Sequence, residues 1–523
     1  MDLRQTALGM EFGSTRIKLV LIDRKHNTLA QGSFEWENRL ENGIWTYHYD
    51  EIDEGLRAAY RELKEDIKVK YGIVPDTFGA MGISAMMHGY LPLDEKLEPL
   101  AAFRTWRNTM TEEAAETLSD LFDFNIPQRW SIAHLYQAIL NGEAHVKDIS
   151  VLTTLAGYMH LRLTGRNVIG VGEASGIFPI SEDGKSYDKD DIIKFRELIK
   201  ESGYPWDIED ILPPFLLAGE NAGYLTEEGA ILLDPSGDLK PGIPFAPCEG
   251  DAETGMVGTN AVRERTGNVS AGTSDFAMVV LEGKIKRHME VGIVATPAGK
   301  PVAMVHCTNC TSDINSWVDL FLEFAELSGS KITRTDAFNI LFEKALEGEK
   351  DGGDLLHYNY FSGEAIIGMN EGRPVFTRLP GSRMNVADFM RSCLMSALST
   401  LKIGMDILIS SEHVKIDRML GHGGFFKVPG VGQRILSAAI AAPVSVMETA
   451  AEGGPYGMAI LCAYMLFKDE GESLEDYLDN RVFRDAKTTE IMATEEDIEG
   501  FNTYLERYKK AFVLERKAVE VVF

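Results

Sequence analysis

The sequence predicts an α/β protein built from two related domains that face each other across a cleft. Three observations predict it. The chain has 523 residues, more than one hydrophobic core usually organises, and two domains of about 250 residues are the natural division. The stretch Ala7 to Asp23 reads as strand, tight Gly13-Ser14-Thr15 turn, strand, with an apolar, β-branched second arm. The stretch Gly267 to Leu281 has the same grammar around Gly272-Thr273-Ser274, half a chain later, and self-similarity at that period indicates duplication.

The first hairpin carries the chemistry of an anion site. Gly13 permits a positive φ and a close approach of backbone to ligand. Ser14 and Thr15 add hydroxyl donors, and such a turn can aim backbone N–H groups at an anion. Glu11 ends the first strand with a carboxylate pointing at the same turn. A carboxylate beside an anion cradle makes sense if a cation sits between them.

After the hairpin, Leu29 to Glu35 continues as a third strand, and Ile52 to Lys70 has the apolar period of an amphipathic helix. Phe78 to Ser84 reads as a buried strand running into Met86-Met87-His88-Gly89. A His at the C-terminal end of an apolar strand is well placed for a cleft. Ala102 to Thr109 joins the Trp106 plate to Arg107 and Asn108, a set that can cover a polyol's C–H face and bond its hydroxyls. A helix is expected over Glu112 to Phe122. Asp148 to Gly165 reads as strand then helix, stopped by Gly165. Val171 to Ile177 reads as a Gly-rich link, and Pro213 to Pro247, dense in Pro and Gly, as the crossover to the second half. Gly184-Lys185-Ser186 is not a P-loop, because Pro179 stands where that loop needs Gly.

Asp251, in Cys248-Glu249-Gly250-Asp251-Ala252-Glu253, sits where a helix should start, as an N-cap or as a functional carboxylate. Helices are expected over Ser316 to Leu327, Val386 to Ser410 and Gly432 to Ala441. Arg418 to Phe426 reads as a strand and then a Gly loop, and Ala451 to Ala459 leads into a last apolar helix. Gly-rich backbone of this kind lets a flat ring lie close. The domain boundary is expected at 246/247, dividing the chain into 1–246 and 247–523.

Composition narrows the function class. A net charge of −28 weighs against nonspecific binding to nucleic acid or anionic membrane. Five scattered cysteines make no disulfide framework, and Cys307-Thr308-Asn309-Cys310 lacks the second pair a zinc site usually needs. The chain enters a strand almost at once, so no signal peptide is visible. No apolar run approaches the length of a membrane span, and a cytoplasmic location is expected.

The order Glu11/Gly13-Ser14-Thr15, Met87-His88-Gly89, Trp106-Arg107-Asn108, Gly250-Asp251-Ala252, Gly272-Thr273-Ser274, Gly421-His422-Gly423-Gly424 resembles the FGGY family of carbohydrate kinases. Among them it is most similar to xylulokinases and other ketopentose kinases, in the superfamily shared with actin and Hsp70. The resemblance covers essentially the whole chain. It implies two ribonuclease H-like (actin-like ATPase) domains and ATP-dependent transfer of a phosphoryl group to a terminal hydroxyl of a small sugar or polyol, such as xylulose or ribulose. It implies ATP contacts at Gly13, Ser14, Thr15, Lys18, Gly272, Thr273, Ser274, Gly423, Gly424 and Phe425. It also implies substrate contacts at Met87, His88, Trp106, Arg107 and Asp251, Asp251 as catalytic base, and Mg2+ near Glu11 and Asp251. The partners implied are the small-molecule sugar or polyol, no nucleic acid, no membrane and at most a second copy in a homodimer.

Some positions depart from the family pattern. Glu11 replaces the usual Asp. His134 stands where a Lys is usual. Ser362-Gly363-Glu364-Ala365 lacks the Arg of the S-G-E-R-like element, and Trp106-Arg107-Asn108-Thr109-Met110 replaces Trp-x-Asp-x-Arg. The alternative these departures favour is a nucleotide switch of the actin or Hsp70 kind, or an FGGY-like protein without sugar kinase activity.

Overall fold

The computed structural model describes residues 2–447 and 453–521. The chain forms two compact units. Unit 1 comprises Met1–Val262, Gly292–Val302 and Ala451–Ala486; unit 2 comprises Arg263–Val291, Ala303–Ala450 and Lys487–Phe523.

In unit 1 the opening hairpin is β1 (Ala7–Phe12) and β2 (Arg16–Ile22), followed by β3 (Thr28–Glu35). These three strands are antiparallel, and β4 (Ala80–Ala85) pairs with β1 in parallel. Helix α1 (Tyr49–Tyr71) connects β3 to β4 and stops at Gly72, whose φ is 68°, the left-handed cap that glycine adopts without a Cβ penalty. Strand β1 is central and almost wholly buried. Helix α2 (Leu155–Thr164) starts at Thr154, whose side-chain oxygen accepts from the Gly157 N–H, and ends at Gly165 with φ 68°.

Two expectations for this region change. The stretch 213–247 adds strands Gly223–Tyr224 and Pro244–Phe245 to the edge of the first sheet, with Phe245 pairing with Met81. Its Pro and Gly mark short strands and turns within unit 1. The expected link at 171–177 contains a buried helical turn, Val171–Ser175. Gly172 serves close packing there: a Cβ would stand 2.5 Å from Glu249 Oε2 and from Glu253 Cγ.

Unit 1 continues past residue 246 for a topological reason. Glu249–Gly250 pairs in parallel with Ser84–Ala85, and the helix α3 (Asp251–Gly258) that follows packs on the helix Gly453–Phe467. Gly457 makes that contact close, since a Cβ there would stand 1.9 Å from the Thr254 carbonyl oxygen. Ala451 and Glu452, at the start of the expected last helix, lie outside the described residues.

Unit 2 repeats the sheet grammar. Its hairpin is β5 (Thr266–Ala271) and β6 (Asp275–Val280), joined by β7 (Pro301–Cys307, of which 303–307 belong to this unit), β8 (Arg418–His422), β9 (Val444–Met447) and β10 (Thr488–Ile491), in the order β7-β6-β5-β8-β9-β10. As β1 pairs with β4, β5 pairs in parallel with β8. Helix α4 (Ser312–Leu327) begins four residues before its expected start. Helix α5 (Val386–Asp406), extended by a π-turn to Ser411, is long and apolar enough to cross a membrane, contrary to the sequence expectation; 78% of its most apolar window is buried. It is the core helix of this unit, with Arg391 paired to Asp497 at 2.8 Å.

Candidate active site

Asp251 is the first residue of α3, and the N-cap is Gly250, which makes no side-chain cap bond. The structure thus removes the capping explanation for this carboxylate. Its Oδ1 accepts from the Met87 backbone N–H at 3.3 Å, so Met87 approaches Asp251 through its main chain. Burial pushes the Asp251 carboxyl up to about 6, against backbone hydrogen bonds from Met87 and from the helix start. At pH 7 and above it is ionised and able to take a proton.

Glu11 lies on β1, opposite Lys18 on β2 and Ser84 on β4. Burial, and then the charge of Asp251, push its carboxyl up to about 8, while Lys18 pulls it down. Two half-buried carboxyl groups therefore share one neighbourhood, and Glu11 holds its proton up to about 8. Gly454 leaves room for Glu11: a Cβ there would stand 2.0 Å from Oε1. The Ser84 and Thr254 hydroxyls, 2.8 Å apart, tie β4 to α3 beneath them.

Gly13 does not take a positive φ, so its expected left-handed role falls away. A Cβ there would meet the Arg16 carbonyl oxygen at 3.1 Å. Ser14 is half-buried and Thr15 exposed. Three side-chain donors hold this turn: Trp36 to the Gly13 carbonyl at 2.7 Å, Tyr47 to the Ser14 carbonyl at 2.6 Å, and Trp106 to the Ser14 hydroxyl at 3.1 Å.

His88 is buried at φ 65°. Its Nδ1 lies 3.2 Å from the Gly176 carbonyl oxygen, and its ring stacks on Trp130. Arg107 is exposed, with its guanidinium 3.9 Å from the Trp45 ring centroid. Asn108 is committed to the main chain: its amide pairs with both backbone groups of Trp45, so it is not open to a sugar hydroxyl. His134 is fully buried against Tyr90, and burial, with Arg104 nearby, pushes it down to about 3. It is neutral and does not replace a lysine's charge.

Three glutamates that the motif order did not single out surround Gly250. A Cβ on Gly250 would stand 2.4 Å from Glu253 Oε2 and 3.0 Å from Glu173 Oε2, and Glu249 Oε2 accepts from the Glu173 N–H at 2.9 Å. All three are buried, and burial raises each carboxyl, Glu173 to about 8. The available signal was the pair of acids two residues either side of Asp251, which resembles an ordinary solvated charge run until β4 covers it.

In unit 2 the Gly272-Thr273-Ser274 turn is braced from behind. The Thr311 N–H and hydroxyl donate to the Gly272 carbonyl at 3.0 and 2.6 Å, and the Cys310 N–H donates to the Thr273 carbonyl at 2.9 Å. Glu364 Oε2 in turn accepts from the N–H groups of Thr308 and Asn309 at 3.0 and 3.3 Å. The Ser362-Gly363-Glu364 element therefore supports the second turn through the Cys307–Cys310 loop. The cysteines themselves are buried free thiols. Gly423 has φ 98°, and a Cβ there would stand 2.4 Å from the Ala271 carbonyl; Gly424 has open space. Phe425 is fully buried, packed near Phe342 and Phe426, so its ring is not presented to a ligand.

The N-terminal domain of the FGGY family of carbohydrate kinases matches residues 6–258, and the C-terminal domain of the same family matches residues 267–466. The chain belongs to the FGGY family. Its fold is accordingly that of two actin-like ATPase domains, and the C-terminal match takes in part of unit 1, including the helix Gly453–Phe467 but for its last residue. This FGGY chain is 24% identical over 297 residues to a glycerol kinase from Thermococcus onnurineus, an alignment covering 54% of this chain and 55% of that relative. It spans little more than half the length of that curated relative. Its fold is similar to xylulose kinase from Lactobacillus acidophilus, with a TM-score of 0.79 at 16% identity and 99% of each chain covered. It is also similar to gluconate kinase from the same organism, with a TM-score of 0.78 at 15% identity and the same coverage.

Proposed function

We propose that this FGGY protein is an ATP-dependent carbohydrate kinase, transferring the γ-phosphoryl group to a terminal hydroxyl of a small sugar or polyol, with a ketopentose such as xylulose or ribulose as the acceptor. The observation that carries the reading is Asp251: a half-buried carboxylate at a helix start, held by the Met87 N–H, with its carboxyl pushed up to about 6. Such a group suits the one proton the protein must take as a hydroxyl attacks phosphorus, a reaction otherwise dominated by positioning and charge stabilisation. The likeness to a xylulose kinase supports a ketopentose, and the likeness to a gluconate kinase makes a sugar acid the competing acceptor.

In this reading Ser14 and Thr15 of the first turn and Thr273 and Ser274 of the second receive phosphate oxygens, and Gly423 and Gly424 leave space for the base. Glu11 and Asp251 fit a divalent cation, because the charge of Asp251 raises the proton affinity of the half-buried Glu11 carboxyl and a positive ion relieves it. Mg2+ bound there with ATP would neutralise phosphate charge. Trp106 supplies an apolar plate for the acceptor, and Asp251 removes the hydroxyl proton.

The test is an acceptor panel of ketoses, aldoses, polyols and sugar acids in a coupled ADP assay, run with wild type and Asp251→Asn. One ketopentose epimer should dominate, with an acid limb in kcat/KM near pH 6. Asp251→Asn should bind ATP normally and lose about 100-fold or more in kcat. Retention of more than about a tenth of kcat rules out Asp251 as base. Turnover of acidic sugars alone overturns the ketopentose assignment, and absence of acceptor-stimulated ADP release overturns the kinase reading in favour of a nucleotide switch.

A further inference from the structure

The first turn is held by more side-chain donors than a two-stranded hairpin needs. Trp36 and Tyr47 stack on each other with ring centroids 4.2 Å apart, and both are buried. Their ring N–H and O–H donate to carbonyl oxygens, of Gly13 and Ser14. The Trp36 backbone N–H adds a third main-chain bond, to the Thr15 carbonyl at 3.2 Å. The backbone of the turn is therefore fixed before any ligand arrives.

Trp106 differs in both respects. It is half-exposed, and its indole N–H donates to the Ser14 hydroxyl oxygen, a group that rotates where the backbone does not. An indole N–H is a donor only, whereas a hydroxyl has one donor and two acceptor positions. Accepting from Trp106 fixes the oxygen and leaves the Ser14 O–H as a donor directed elsewhere.

The Trp106 loop is itself bound to the segment that carries Tyr47. Asn108 Oδ1 accepts from the Trp45 N–H at 2.9 Å, its Nδ2 donates to the Trp45 carbonyl at 2.8 Å, and the Thr105 N–H donates to the same carbonyl at 3.1 Å. Asn38 Nδ2 donates to the Thr105 hydroxyl at 3.2 Å. The indole thus reaches Ser14 from a rigid support, while the residue stays half-exposed.

We propose that Trp106 is a positioning residue for the Ser14 hydroxyl, aiming that O–H at a phosphate oxygen and so linking the acceptor plate to the first phosphate turn. This deepens the kinase reading and rests on it for the identity of the anion. An acceptor lying on the indole face would restrain the same ring that orients Ser14. Phosphate would then be gripped best when an acceptor is present.

The test uses the full chain and three variants: Trp106→Phe, which keeps an aromatic plate and loses the N–H; Ser14→Ala, which loses the oxygen; and the double variant. Binding of a non-hydrolysable ATP analogue with Mg2+ is measured by calorimetry, and kcat and acceptor KM by ADP release. Each single variant should weaken analogue binding about 3- to 10-fold, as expected for one lost hydrogen bond. The double variant should match Ser14→Ala within about twofold, because both remove one interaction. Trp106→Phe should lower kcat while acceptor KM moves less than about threefold. Unchanged analogue binding in Trp106→Phe, additive losses in the double variant, or an effect confined to acceptor KM overturns the proposal. If Trp106→Phe melts well below wild type, Ser14→Ala alone decides, and unchanged analogue affinity there overturns it. A wild type without acceptor-stimulated turnover defeats the kinase reading alone, since the binding arm still judges the link between Trp106 and Ser14.

Discussion

Glu173, Glu249 and Glu253 crowd around Gly250 with almost no solvent exposure, and the burial that raises their carboxyls has a consequence for stability. An unfolded glutamate ionises near 4.5, whereas folded Glu173 holds its proton up to about 8. Between those two values the folded state binds more protons than the unfolded one, so stability is lost as pH rises through the window. Glu173→Gln removes that titration and keeps the shape. The variant should gain roughly 1–3 kcal/mol over wild type at about pH 8, and much less at about pH 5. Urea denaturation at the two pH values measures this; an equal difference at both would show that Glu173 does not titrate within the window.

At the level of elements, glycines set how closely helices approach the first sheet. On β1, a Cβ at Gly9 would stand 2.0 Å from the Pro455 carbonyl oxygen of the helix Gly453–Phe467; on β3, one at Gly32 would stand 2.1 Å from the Ala59 carbonyl of α1. Neither neighbour is a flexible side-chain end, so the elements would have to separate. Gly9→Ala should cost about 1–3 kcal/mol or more. Gly255 lies inside α3, and a Cβ added there would meet nothing within 4 Å, so Gly255→Ala should stabilise by up to about 1 kcal/mol through helix propensity. Thermal melts of the two variants should move in opposite directions. A shift of the same sign in both would mean that backbone propensity, and not helix–sheet spacing, governs these positions.

For the whole molecule the dominant electrostatic fact is a net charge of −28. Self-repulsion on that scale opposes the compact state, and added salt shortens its reach from about 30 Å at 0.01 M to about 8 Å at 0.15 M. Many of the ion pairs that salt also screens are solvent-exposed, such as Arg16–Glu35, Lys200–Glu197 and Lys517–Glu520, and contribute little each. Repulsion should therefore win, and the melting temperature should rise by about 2 °C or more across that range. A flat or falling melting temperature would show that favourable pairs balance the net charge.

The sequence by itself determined the α/β class, the two hairpins, the family and the positions of the main elements. These follow from local pattern: alternating or continuous apolar runs, turn glycines, and a helix stop such as Gly165, whose left-handed φ needs no partner elsewhere in the chain. Tertiary structure decided what local pattern cannot carry. It made Gly9 and Gly172 packing glycines and left Gly13 without a positive φ. It turned the Pro- and Gly-rich stretch 213–247 into edge strands of the first sheet, and it buried the apolar helix Val386–Asp406 within unit 2. It committed Asn108 to Trp45, neutralised His134 and buried Phe425. It gathered Glu173 against Glu249 and Glu253 across some 76 residues of chain, and brought Trp36, Tyr47 and Trp106 to one turn. The physical reason is the same in each case. Burial and hydrogen-bond partners are set by contacts distant in sequence, and they decide whether a polar side chain is a site, a support or a neutral piece of core.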